Sequence, residues 1–192
     1  MNPPEPASAP QIIMFVRHGE KPGEGKPPHG VNKHGEIDNH SLSVLGWTRA
    51  GALAGLFAHA PSNSHPHVVK PERVLATRPT HEAKSKREMD TATPTANRLN
   101  IKIEDGHTHG NEKELIDEVL SRPESTLIVW HHGTMSKLVR HFPISNVEDV
   151  PHRWPDERFD IIWILVRQPG DELSYRFVAV PQLLLADDVE TV

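Results

Sequence analysis

The sequence predicts an α/β fold with a mostly parallel central sheet, and three observations carry that prediction. Residues 12–16 and 126–130 are short, unbroken apolar runs, each followed closely by a glycine. Runs of that kind belong to strands buried on both faces. Between them lie stretches whose apolar residues recur at helical spacing, as a crossover between parallel strands requires. The last two apolar runs, 161–166 and 175–180, flank Gln168-Pro169-Gly170-Asp171. That turn reads as a hairpin, so one edge of the sheet is expected to be antiparallel.

A chain of 192 residues with 36% hydrophobic and 24% charged residues suits one domain with a substantial core. Residues 1–11, rich in proline and small side chains, read as a flexible tail, which leaves 12–192 as a single domain. The formal charge of −5 argues against nucleic acid as a partner. The absence of cysteine excludes disulfides, thiol catalysis and thiolate metal sites. The first ten residues lack the basic and apolar regions of a signal peptide, and no apolar run is long enough to span a bilayer. The expectation is a cytoplasmic protein with no membrane partner. Its oligomeric state is not written in the sequence.

Taken in order, residues 12–16 form the first strand and end in Arg17-His18-Gly19-Glu20. Residues 21–40 hold three prolines, four glycines and three histidines without periodicity, and read as a long loop. Loops of that length are functional or disordered, and its place suggests an active-site rim that could close over the site. Ser41 or Ser43 can cap a helix running to about His59, with Leu45, Arg49, Leu53, Leu56 and Phe57 on one face. Within that helix Arg49 reads as a solvent-facing residue. Residues 61–71 are a linker and 73–77 a short strand. Residues 80–99 read as mostly helical, with Pro94 marking a break or a new first turn. Residues 100–112 read as loop, 113–121 as a short helix, 126–130 as a strand and 134–142 as a helix. An irregular stretch at 147–158 precedes the hairpin. Trp130 and Trp163 read as core residues.

Ligands of open α/β sheets bind beyond the carboxyl ends of central strands. Two apolar strands here end in histidine and glycine, as Arg17-His18-Gly19 and Trp130-His131-His132-Gly133. If the strands are neighbours, two imidazoles share one crevice. Between them lies Ser85-Lys86-Arg87-Glu88-Met89-Asp90-Thr91-Ala92. The Arg-His-Gly phrase after a first hydrophobic strand resembles the signature of the histidine phosphatase superfamily, which includes the phosphoglycerate mutases. The segment around Arg87 resembles that family's arginine and threonine-alanine phrase. Leu42 to Ala50 resembles the start of its first helix, and Trp154-Pro155 with 159–163 a late segment of some members.

The resemblance implies a three-layer αβα sandwich of the phosphoglycerate mutase-like type and a metal-independent phosphomonoester hydrolase. In it His18 would be the nucleophile, with Arg17, Arg87 and His132 completing the phosphate pocket. Arg78 rivals Arg87, because Arg87 lies further beyond its strand than in the common pattern. His131 rivals His132, since alternation lets one of an adjacent pair face the crevice; the resemblance favours His132. The chemistry is coherent: two guanidinium forks match phosphate oxygens, and a neutral imidazole can attack phosphorus. The family's leaving-group acid has no local signature here, and Glu20, Glu82, Glu104, Asp105 and Glu112 all stay open. The substrate would be a small phosphate ester or a phosphoprotein. No cofactor and no metal are expected, since His65-Pro66-His67, His107-Thr108-His109 and the loop histidines 29, 34 and 40 match no standard ligand spacing. A non-catalytic phospho-ligand binding module and a phosphoglycerate-type mutase are the alternatives.

Overall fold

The computed structural model describes residues 9–62 and 64–192. Residues 1–8 of the expected tail, and residue 63 of the expected linker, lie outside the described residues. The last three tail residues are not loose. Ala9 is buried, the Tyr175 hydroxyl donates to the Pro10 carbonyl at 2.8 Å, and the Arg167 amide donates to the Gln11 carbonyl at 2.9 Å. Proline there limits the chain's freedom rather than releasing it.

The strands are β1 (Ile12–Arg17), β2 (Gly30–Val31), β3 (Leu42–Ser43), β4 (Arg73–Ala76), β5 (Ile103–Glu104), β6 (Thr126–Trp130), β7 (Ile161–Arg167) and β8 (Tyr175–Pro181). The helices are α1 (Val44–Ala58), α2 (Arg87–Leu99), α3 (Glu112–Leu120) and α4 (His132–Val139). Six strands form one sheet in the order β5-β4-β6-β1-β7-β8, and β2 pairs with β3 in a separate ribbon. β5, β4, β6 and β1 are mutually parallel, while β7 runs antiparallel to β1 and β8 to β7. The hairpin edge is as expected.

Alternation along the strands builds two apolar layers. Met14, Val16, Val74, Leu127, Val129 and Ile164 face Leu53 and Phe57 of α1 and Ala92 of α2. Ile13, Phe15, Leu75, Ile128, Trp130 and Trp163 face Leu115 and Val119 of α3 and Met135 and Leu138 of α4. The result is a three-layer αβα sandwich. Trp130 and Trp163 are core residues.

Three expectations are corrected, and one alternative left open is resolved. The 80–99 helix starts only at Arg87, because the Thr80 hydroxyl and amide both bond to Ala83 in a local turn that competes with helix. Pro94 sits inside α2 without dividing it. The 100–112 loop contains β5, whose two residues are too few to show periodicity, and the 21–40 loop contributes β2. Finally, Ser43 caps α1 by accepting from the Gly46 amide at 3.1 Å, while Ser41 instead donates to Asp90.

Candidate active site

β1 and β6 are parallel neighbours with Arg17 level with Trp130, so the sheet brings the two histidine phrases to one end. The His18 and His132 rings meet edge-on with centroids 5.6 Å apart. His132, the first residue of α4, lines a cavity of about 590 Å³ together with Arg17. His131 instead caps α4, its Nδ1 accepting from the Gly133 amide at 3.2 Å. Of the adjacent pair, His132 is the one that lines the cavity.

Why the chain turns where it does follows from two glycines. A Cβ on Gly19 would sit 2.7 Å from the Gly46 carbonyl oxygen, and one on Gly46 would sit 2.5 Å from the Glu20 carbonyl oxygen. Backbone meets backbone there, so the end of β1 is seated directly on the first turn of α1. On its other side, the Gly19 amide donates to the Thr91 hydroxyl at 2.8 Å, and that hydroxyl donates to the Arg87 carbonyl at 2.7 Å. Thr91 thereby ties the turn after β1 to the start of α2.

His18 is 2% exposed, and its Nδ1 lies 2.7 Å from the Gly19 carbonyl oxygen. A carbonyl can only accept, so Nδ1 carries the hydrogen and Nε2 keeps its lone pair. Burial pushes the imidazole down to about 3, with the positive fields of Arg17 and Arg87 acting in the same direction. His132 is likewise lowered to about 4, first by burial and then by Arg17. Both rings are therefore neutral near pH 7. The unfolded chain titrates its histidines near 6.5, so below that pH it binds protons that the folded site refuses. Stability is expected to fall as pH drops from about 6.5 toward 4, with a slope approaching about 1.4 kcal/mol per pH unit for the buried His18. Urea midpoints measured across that window check it, and the His18→Ala variant should show the shallower slope.

Arg17 is 2% exposed and its charge is held from several sides. Nη1 donates to the Asp156 carbonyl at 2.6 Å and to the Arg158 carbonyl at 3.3 Å, while the Phe159 ring lies 3.9 Å from Cζ. Burial lowers the guanidinium to about 10, so it stays cationic at neutral pH. Its Nε is buried with no partner among the described residues. An unpaired buried donor is costly in an apolar setting and well matched to an oxyanion. His132 Nδ1 is also buried and unpartnered.

Arg87 is only partly brought into this group. Its Nη2 and Nε donate to the carbonyls of Asn39 and Ser41 at 2.8 and 3.3 Å, and it lines a neighbouring recess with Lys21 and Gly23. It acts on His18 through its field rather than from the wall of the main cavity. Arg78 is exposed and lines none of these cavities.

Of the five open carboxylates, only Glu20 lines the main cavity, and its Oε1 is ion-paired to Arg49 at 2.7 Å. Glu104 is bound to Arg73 at 2.6 Å, and Glu82 lines a separate pocket with His81 and His109. Asp105 and Glu112 line neither. Arg49 corrects the sequence reading outright: it is 5% exposed, held by Glu20 and by Asp188 at 2.8 Å. Leu45, expected on the buried face, is instead 50% exposed at the cavity's edge.

Sequence reasoning missed Asp156, Glu157 and Phe159, which wall the cavity from a segment some 140 residues after Arg17. The signal that could have found them is the Trp154-Pro155 and Phe159 phrase. Trp154 packs on Trp163 with ring centroids 4.6 Å apart, and its Nε1 donates to the Arg158 carbonyl at 2.7 Å. Lys21, Pro22 and Pro28 of the long loop complete the wall. The remaining histidine pairs lie elsewhere: His65 bonds to the Pro181 carbonyl, and His107 to Glu118. Among the described residues no group of three or more His, Cys, Asp or Glu could hold a metal ion, and no helix is long and apolar enough to cross a membrane.

No family model and no curated protein matches the sequence. Solved structures do resemble it. A mycobacterial glucosyl-3-phosphoglycerate phosphatase complexed with VO3 is 13% identical, with 87% of this chain and 97% of that chain covered at a TM-score of 0.54. Mycobacterial hydrolase 1 is 15% identical, with 88% and 97% covered and a TM-score of 0.55. The putative phosphohistidine phosphatase SixA from Agrobacterium tumefaciens is 17% identical, with 83% and 94% covered and a TM-score of 0.50. Likeness at these identities is likeness of fold. The αβα sandwich, the mostly parallel sheet and these neighbours together show that the chain has the histidine phosphatase fold.

Proposed function

We propose that this chain is a phosphomonoester hydrolase that works through a phosphohistidine on His18, within a single domain spanning residues 12–192. The observation that carries the reading is the His18 Nδ1 hydrogen bond to Gly19, which leaves a neutral Nε2 lone pair on the residue next to Arg17, whose buried Nε has no partner among the described residues. Likeness to phosphatases of the same fold supports it. Nε2 attacks phosphorus and the bond to the leaving oxygen breaks. Arg17 holds the oxygens, His132 offers a hydrogen bond, and Arg87 adds positive potential as charge spreads over the equatorial oxygens. Water then attacks the phosphohistidine, and the electron pair of the N–P bond returns to Nε2. No step draws on a metal or cofactor. The substrate is a small phosphate ester or a phosphorylated protein.

Rapid mixing with radiolabelled p-nitrophenyl phosphate, quenched in alkali, tests this. The expected result is label on wild-type protein that survives alkali, is lost in acid and is absent from His18→Ala, with turnover unchanged by a chelator. Vanadate binding without phosphate release from any ester would leave a binding module on this fold.

A further inference from the structure

Phosphoryl transfer to His18 leaves the departing oxygen in need of a proton, and the carboxylates that the sequence offered are engaged or distant. One that the sequence did not offer stands beside the reacting centre. Asp156 lines the cavity, and its Oδ1 lies 3.8 Å from His132 Nε2. Its main-chain carbonyl accepts from Arg17 Nη1 at 2.6 Å, so the residue that grips the phosphate also fixes this backbone. The segment is anchored at both ends, by buried Trp154 stacked on Trp163 and by Arg158 bonded to Asp160 at 2.6 Å. The side chain itself is 71% exposed, which places it at the mouth, where a leaving group must exit. Glu157 also lines the cavity, but it has no polar contact with Arg17 or His132.

Resting on the phosphatase reading above, we infer that Asp156 is the acid that protonates the leaving group and the base that activates water. The ester's own second ionisation lies near about 6, so substrate arriving as the monoanion can supply that proton. In the first step the His18 Nε2–P bond forms, the P–O bond breaks, and the electron pair on the departing oxygen takes the Asp156 proton. In the second, water attacks phosphorus, its proton passes to the Asp156 carboxylate, and the N–P bond breaks. Phosphate departs with Asp156 protonated again, so the cycle closes without another reactant.

The test is a series of aryl phosphates of one shape and differing leaving groups, from p-nitrophenyl to phenyl phosphate, with wild type, Asp156→Asn and Glu157→Gln. A nitrophenolate leaves with little help and a phenolate does not. Asp156→Asn is expected to lower kcat/KM by about 10²-fold on phenyl phosphate but by less than about tenfold on p-nitrophenyl phosphate. The dependence on leaving group should steepen accordingly. An equal loss across the series, no loss, or steepening in Glu157→Gln alone would overturn the assignment. Wild type releasing phosphate from none of the series would instead bring down the phosphatase reading, and the acid with it.

Discussion

Replacing His18 with alanine is expected to lower phosphate release from p-nitrophenyl phosphate by at least about 10³-fold. The change removes the imidazole whose Nε2 lone pair is left free and oriented by the Nδ1 bond to Gly19, behind the cavity wall that Arg17 and His132 form. It leaves in place the groups that attract the phosphate, including the Arg17 guanidinium and its unpartnered Nε. Affinity for inorganic phosphate, which needs no bond to Nε2, should therefore stay within about tenfold of wild type, so that kcat falls far more than binding. Folding should survive as well, because the lost ring is neutral and its one hydrogen bond is to an adjacent residue. Activity within tenfold of wild type would exclude covalent catalysis at this residue.

The largest effect on stability is expected from Arg49→Ala, at a cost of about 3–5 kcal/mol. For a chain of this length that corresponds to a melting temperature lower by roughly 10 °C or more. Arg49 is the sole cation ion-paired to Glu20 and Asp188 among the described residues, and it also donates to the Gln182 side chain at 3.0 Å. Asp188 is almost wholly buried, with a side chain 2% exposed. Burial pushes its carboxyl up, but hydrogen bonds from Arg49 and from the Leu184 and Leu185 amides outweigh this and hold it below the usual range. Removing the guanidinium strands two acids where water reaches them poorly. Thermal melts near pH 7 check the magnitude. An Arg49→Lys variant, which keeps the charge but not the fork, should fall between the two. A change below 1 kcal/mol would mean that the three groups are solvated in a way their burial does not suggest.

What the sequence revealed and what it hid have physical reasons. β1, β6 and β7 were legible because a strand buried on both faces is apolar, as 12–16, 127–130 and 161–166 are, and β8 followed from the turn at 168–171. The placing of His18, Arg17 and His132 followed from the same runs, since whatever ends adjacent strands shares a crevice. β5 was not legible: a two-residue edge strand with Lys102 beside it carries no pattern. Arg49 was misread because a charged residue in a helix is taken to face water unless its partners are known, and these come from positions 20 and 188. Asp156 and Phe159 were missed for a related reason: the phrase around Trp154-Pro155 marks their segment, but the partner that holds it, Arg17, lies some 140 residues earlier. Arg87 shows the opposite failure. Its phrase carries the resemblance, yet its guanidinium spends its hydrogen bonds on Asn39 and Ser41 rather than lining the cavity with Arg17.

The position of β1 between β6 and β7 has a consequence in time. Ile13 pairs with Thr126 on one side and Leu165 on the other, and neither partner lies within a hundred residues of it in the chain. At a ribosome's pace of about 5–20 residues per second, β1 waits on the order of ten seconds for its first neighbour. Throughout that wait five successive apolar side chains and both edges of their backbone are open to other chains. The strand that positions the chemistry is thus the one most dependent on the rest of the polypeptide arriving. Yield in the cell should track how well nascent chains are shielded more closely than it tracks the stability of the finished fold.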